Sequence, residues 1–194
     1  EFKLGDLFDI KAGGDLQEEF FSVIQNKNAI YPVYSNSLIN NGLYGYTSKP
    51  RYPKDVITIT GRGSLGHAVY RDYPFDAIVR LLVLIPKAEI DCKFVTYYIN
   101  GYVNFAIEST GVPQLTAPKV QKTKIKLPES KPEQTAISSI LWKIDKAIEN
   151  VQNSIKAVEN LKKGLMQNLL TGKMRPDGSF RKEEEFYIDE KYGR

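Results

Sequence analysis

Between Ser130 and Gly172 the chain carries a repeat that few folds can absorb. Apolar residues recur there at alternating steps of four and three: Ile137, Leu141, Ile144, Ile148, Val151, Ile155, Val158, Leu165 and Leu169. The 3.5-residue period, held over about five heptads, predicts one long helix whose seam needs a partner helix to bury it. With Ile137 at a heptad a position, Lys162 occupies a d position between Val158 and Leu165. Residues between the seam positions are polar, among them Lys143, Glu149, Asn150, Gln152, Lys156 and Glu159, so the stripe is narrower than that of a core helix. Ser130 with Glu133 forms a capping box, Pro132 sits in the first turn, and Gly172 supplies the stop. At 1.5 Å per residue such a helix is roughly 60 Å long.

The remainder supports a globular domain. Removing the helix and the C-terminal segment leaves about 130 residues, enough to bury a core. The expected division is a domain over residues 1–129, a coiled-coil helix over 130–172 and a tail or linker over 173–194. No apolar run approaches bilayer length and no signal-peptide pattern opens the chain. A single cysteine, Cys92, excludes an internal disulfide and fits a reducing, cytoplasmic setting. The net charge of +4 is only mildly basic, but it is segregated. Residues 49–80 carry Lys49, Arg51, Lys54, Arg62, Arg71 and Arg80 against three acids, and Lys119, Lys122, Lys124 and Lys126 come later with no acid among them. Such segregation presents a positive face to phosphates.

In chain order, residues 1–11 read as a short amphipathic start closed by Gly13-Gly14. Tyr31–Tyr34 reads as a strand entering a loop rich in Asn, Ser and Gly, Ser35–Gly42. Val56–Thr60 is β-branched throughout and is the clearest strand. The adjoining Gly61–Gly66 run has the form G-x-G-x-x-G. A dinucleotide site needs a helix next, and His67–Arg71 is strand-like instead, so the run predicts a hairpin loop displaying Arg62 and Ser64. Ala77–Pro86 reads as a strand with Arg80 inside it, residues 93–105 as a helix, Gly111–Pro118 as a loop and Val120–Leu127 as a last strand.

Catalytic chemistry finds little purchase. His67 is the only histidine and has no nucleophile context. Zinc motifs, a phosphate-cradling lysine loop and a paired-carboxylate arrangement are all missing from the sequence. The expectation is a binding module without cofactor or metal. Between residues 31 and 75, tyrosines alternate with bases and amides, a composition suited to phosphate and base-edge contacts.

Several pieces, in order, resemble the specificity subunit of type I restriction-modification systems. They are Lys3–Asp6, Tyr31–Ser35 before the Asn/Gly loop, Ile59–Gly66, Phe94–Tyr98, Lys126–Pro128 leading to Pro132–Gln134, Ile140–Asp145, and Leu169–Lys173 closing the helix. The resemblance covers nearly 175 residues and departs at Gly111–Pro118, where Val112-Pro113-Gln114-Leu115 replaces the usual Gly-rich loop. It implies an α+β fold, with a mixed sheet-and-helix target-recognition domain followed by the long helix. It further implies a non-catalytic chain that reads one half of a bipartite site on double-stranded DNA. Methyltransferase subunits would dock on the helices, and restriction subunits would complete the assembly. This chain matches one half of such a subunit, and its end, Tyr187–Arg194, resembles the link into a second recognition domain. A dimer with antiparallel helices would supply the missing half. The candidate DNA contacts are Ser35, Asn36, Asn40, Asn41, Tyr44, Tyr46, Lys49, Arg51, Tyr52, Arg62, Ser64, Arg71, Gln114 and Lys119. The alternative is a coiled-coil adaptor with no role on DNA.

Overall fold

The computed structural model describes residues 1–105, 113–182 and 185. Gly111 and Val112 of the variant loop, and the terminal stretch from Tyr187, lie outside the described residues. The chain forms two compact units, Glu1–Ile140 and Leu141–Arg194. In the first unit the elements run β1 (Phe2–Lys3), α1 (Leu4–Leu7), β2 (Phe8–Ala12), β3 (Phe21–Ser22), β4 (Tyr31–Tyr34), β5 (Leu43–Thr47) and β6 (Val56–Ile59). They continue with β7 (Ala68–Arg71), β8 (Asp76–Ala77), β9 (Leu82–Pro86), α2 (Cys92–Tyr102), α3 (Ala117–Lys122) and β10 (Lys124–Ile125). The long helix α4 (Lys131–Leu170) begins in the first unit and supplies most of the second.

An antiparallel sheet in the order β2-β9-β6-β7 forms the middle of the first unit. All four residues of β6 are buried, which a strand covered on one face only would not allow. Alternation along the strands assigns the two faces. Ile57, Ile59, Leu82, Leu84, Phe8 and Ile10 join the cluster that includes Leu4, Leu7, Phe94, Val95, Ile99, Val120 and Ile125 from α1, α2, α3 and β10. Val56, Val83 and Leu81 join Phe75 and Ala77 in a second cluster, with Tyr34, Tyr52 and Ile85 packed against it. That second face meets the other four-stranded sheet, β3-β5-β4-β8, in which β4 and β8 are parallel and the remaining pairs antiparallel. A short ribbon of β1 and β10 ties the N-terminus to residues 124–125.

Three sequence expectations change here. Val120–Leu127 is not one strand: Thr116-Ala117-Pro118 starts the short helix α3, with proline in its first turn and Lys119 and Lys122 in its last, and only Lys124–Ile125 is extended. Ala77–Pro86 is not continuous either. It breaks at a turn over Ile78–Leu81, with β8 in one sheet and β9 in the other. Ile137 leaves the expected seam, because it is half-buried against the main core rather than open to a partner.

The helix is anchored to the first unit by polar bonds. Gln134 is 1% exposed; its amide donates to the Pro128 carbonyl at 2.7 Å and accepts from the Asp91 N–H at 3.0 Å. The Thr135 hydroxyl reaches Asp91 Oδ2 at 2.8 Å, while Asp91 Oδ1 caps α2 by accepting from the Phe94 N–H at 2.7 Å. Half of the expected capping box is in place, with the Glu133 N–H donating to Ser130 Oγ at 3.3 Å. Buried Cys92 opens α2, and desolvation pushes its thiol up to about 12.

In the second unit the seam is open to solvent. Leu141, Ile144, Ile148, Val151, Ile155, Val158, Leu165 and Leu169 are all exposed, from 37% at Leu141 to 64% at Val158. Gly172, at φ 74°, ends the helix as its sequence position predicts. The tail then departs from expectation. Met174 pairs with Phe180 across an Arg175–Gly178 turn, and the Arg181 guanidinium returns to the Gly172 carbonyl at 2.5 Å. Pro176, Asp177 and Gly178 are turn residues, and two bonds from Ser179 hold the Asp177 carboxyl below the ordinary carboxylate range.

Gln134→Leu keeps the volume and strands two half-buried backbone groups, the Asp91 N–H and the Pro128 carbonyl. Urea unfolding should show a loss of about 2–4 kcal/mol.

Candidate nucleic-acid interface

The turn between β8 and β9 is built against preference. Leu81 N–H donates to the Ile78 carbonyl at 3.1 Å, and the two central residues, Val79 and Arg80, have φ of 53° and 58°. Positive φ at both centres defines the mirror-image type I turn, normally filled by Asn and Gly. A β-branched residue there costs roughly 1–3 kcal/mol. Surrounding bonds hold it: the Val79 N–H donates to the Gly14 carbonyl and the Arg80 N–H to the Gly13 carbonyl, both at 3.1 Å, and the Gly13 N–H donates to the Leu81 carbonyl at 2.7 Å. A Cβ on Gly13 would lie 2.7 Å from the Ala77 carbonyl, so the close approach requires glycine.

Asn36 joins this turn to the glycine-rich hairpin. Its Nδ2 donates to the Val79 carbonyl at 2.5 Å and its Oδ1 accepts from the Gly61 N–H at 2.7 Å. One amide thereby positions the residues that precede Arg80 and Arg62. Both arginines border a cleft of about 570 Å³, lined also by Gly13, Gly14, Asp15, Leu16, Tyr44, Ile78 and Val79. Arg62 and Arg80 are exposed, and neither guanidinium has a hydrogen-bond or ion-pair partner among the described residues.

Other candidates take structural duties. Arg51 Nε meets the buried Asp76 carboxylate at 2.5 Å, and its NH2 group reaches the carbonyls of Asp15 at 3.0 Å and Ala77 at 3.3 Å. The bond to Asp76 raises the Arg51 pKa. Arg51 therefore fixes the floor of the Gly13–Asp15 loop. Arg71 is the clearest correction. It is 5% exposed, donates to Thr58 Oγ1 at 2.9 Å and the Asn41 carbonyl at 2.8 Å, and lies 3.5 Å from the Tyr34 ring centre. Desolvation lowers its pKa to about 10, still charged at neutral pH. A buried cation so occupied has nothing left for a phosphate.

The Ser35–Gly42 loop closes with the Ser35 N–H on the Gly42 carbonyl at 2.8 Å, and Asn40 and Asn41 adopt φ of 50° and 53°, which suits asparagine. Both are exposed, as are Lys49, Ser64 and Tyr44. Tyr44 lies 5.6 Å from the Phe21 ring, and Lys49 Nζ sits 3.8 Å over Phe20. Tyr46 is half-buried within β5, and Tyr52 stacks on Phe75 with centroids 5.5 Å apart. Gln114 and Lys119 are half-buried at and beyond the end of the variant loop. Neither borders the cleft that the structure builds around Arg62. Arg80 is a functional candidate that sequence reasoning missed, although its signal was present: a charged residue interrupting an apolar run. No group of His, Cys, Asp and Glu suited to a metal ion occurs among the described residues, and none of their helices is long and apolar enough to cross a membrane.

With this geometry in place, comparison with known proteins identifies the family. The type I restriction modification DNA specificity domain matches residues 1–160. The chain therefore belongs to that family, the non-catalytic specificity subunits of type I restriction-modification systems. A Mycoplasma pneumoniae protein bearing the name type I specificity subunit S.MpnORF89P is 27% identical over 163 residues, 84% of this chain and 48% of its own length. The MjaX specificity subunit of Methanocaldococcus jannaschii is 32% identical over 160 residues, 78% of this chain and 36% of its own. The crystal structure of the S subunit from M. genitalium superposes with a TM-score of 0.67 at 22% identity, covering 88% of this chain and 45% of that one, which establishes the shared fold. The chain thus spans about half the length, or less, of these relatives.

Asn36→Ala removes a donor and an acceptor at once and leaves the strained turn without its tether. Denaturant titration should register a loss of about 1–3 kcal/mol, with the fold retained.

Proposed function

We propose that this chain is the sequence-reading half of a type I specificity subunit. It binds double-stranded DNA through the loops that converge on the Arg62 cleft and recognises one half of a bipartite target. The observation that carries this reading is the pair of arginines without a partner among the described residues, on loops pinned by one amide, in a chain of the DNA specificity family. Exposed guanidiniums held on rigid loops suit bidentate recognition of base edges. Lys49, Asn40, Asn41 and Ser64, all exposed, are candidates for phosphate contacts, and Arg51 acts on the Gly13–Asp15 loop as a positioning residue. The work is done in the cytoplasm, with methyltransferase subunits docking along the helix and restriction subunits completing the assembly.

The exposed seam from Leu141 to Leu169 supports a second part of the reading. Eight apolar side chains in a row expose several hundred Å² of surface, an amount that favours burial. A second copy of the chain, with its helix antiparallel, covers the seam and sets two recognition units at opposite ends of the pair. Two identical readers related by a dyad specify an inverted repeat. The antiparallel register also keeps Lys162 from facing its own copy across the seam.

Fluorescence anisotropy with a labelled duplex at several salt concentrations tests the first part. Arg62→Ala should weaken the preferred site by roughly 1–3 kcal/mol and relax one base position, whereas Lys49→Ala should weaken all sequences alike and flatten the salt dependence. Unchanged affinity and base preference in Arg62→Ala would remove the assignment. For the second part, light scattering should return about twice 22.0 kDa, and Ile148→Asp should reduce it to one chain. A monodisperse single chain at tens of micromolar, without substitution, refutes the dimer.

A further inference from the structure

The Ile78–Leu81 turn contains two residues that its backbone disfavours. Val79 is half-exposed and β-branched, so its left-handed conformation is not offset by burial of the side chain. Arg80 is exposed and has no partner among the described residues to justify its own. Asn and Gly would make the same turn without strain. The neighbouring chain has accepted glycine where the backbone demands it, at Gly13 beneath this turn and at Gly63 (φ 67°) and Gly66 (φ 83°) in the facing hairpin. Strain retained at an exposed position, where a relaxed alternative exists, points to use of the side chains themselves.

We infer that Arg80 is a base-reading residue whose guanidinium recognises a guanine through O6 and N7 in the major groove, beside the base contacted by Arg62. This rests on the DNA-binding role proposed above and deepens it. Guanine is the ligand because a fixed planar fork matches two acceptors on one base edge, and only guanine offers that pair there. The turn serves the fork in two ways. Its left-handed backbone lifts residue 80 out of the sheet crossing, and the bonds from Gly13, Gly14 and Asn36 remove backbone freedom before DNA arrives. Preorganisation of this kind lowers the ordering cost of binding. Asp15, in the same cleft lining, discourages a second phosphate-seeking role, since a carboxylate repels the DNA backbone. Val79, open beside it, offers a methyl surface of the kind that meets a thymine C5-methyl group.

The test uses the full 194-residue chain and a pool of duplexes with a randomised central segment, selected and sequenced in parallel for three proteins. They are the unsubstituted chain, Arg80→Ala, and the double substitution Val79→Asn with Arg80→Gly. Arg80→Ala removes the fork altogether, so its preference at a single G·C pair should fall roughly 5- to 150-fold while the other positions persist. The double variant should lose the same pair and yet melt at a higher temperature, because it relaxes the turn. That gain separates lost reading from lost folding. If either variant selects the unsubstituted chain's site unchanged, or if the altered position is an A·T pair, the inference fails while the DNA-binding reading stands. A double variant that melts lower overturns the strain on which the inference depends. An unsubstituted chain that selects no sequence overturns both.

Discussion

The β2-β9-β6-β7 sheet is apolar on both faces, and the rest of the first unit is arranged to cover it. Ile57 and Ile59 turn one way and Val56 the other, so neither face of β6 can be left to water. Burying each such side chain contributes about 1.5–3 kcal/mol. Short helices cover one face and a second sheet covers the other. The chain therefore has to cross between sheets more than once, and a crossing is where backbone must bend sharply at the rim of the core. The Ile78–Leu81 turn is such a crossing, and the cleft forms around it. The site is a by-product of the layering, sharpened by a few polar side chains.

Much of this was legible in the sequence. Val56–Thr60 announces a buried strand by composition, Gly61–Gly66 announces a hairpin once the next residues refuse a helix, and the α4 heptads announce both the helix and its exposed seam. The resemblance to specificity subunits carried the family. What the sequence concealed is the allocation of polar side chains between scaffold and surface. Arg71 and Arg62 look alike as letters in a basic segment. One is sealed under Tyr34 and Asn41 while the other faces solvent, and only the packing of β7 against β4 and its loop distinguishes them. Arg51 is a similar case, since its partner Asp76 lies 25 residues away. Ile137 fits the heptad perfectly well but falls on the turn of the helix that the core claims. Gln134, a polar letter in a polar helix start, carried no hint that it would be so deeply buried there.

Charge behaves differently on the two sides of this boundary. Two cations are satisfied locally, the partly exposed Arg51 by a carboxylate and two carbonyls and the buried Arg71 by a hydroxyl, a carbonyl and an aromatic face. Salt has little access to Arg71, so its contacts are insensitive to ionic strength. Arg62, Arg80 and Lys49 lie in solvent, where screening is full. On the function proposed above, rising salt removes attraction for a polyanion while the contacts of buried Arg71 stay in place.

The bonds that hold the Arg62 and Arg80 loops run through main-chain atoms, the Asn36 amide and the Thr60 hydroxyl. Side chains at positions 62, 79 and 80 carry none of them. Heritable change at those three positions leaves the frame's hydrogen bonds intact, and most replacements at 79 would relieve strain rather than add it. On the function proposed above, a lineage carrying this scaffold drifts from one target to another by single steps, each passing through a folded intermediate. The same arrangement that makes the turn awkward for Val79 leaves its side chains easy to rewrite.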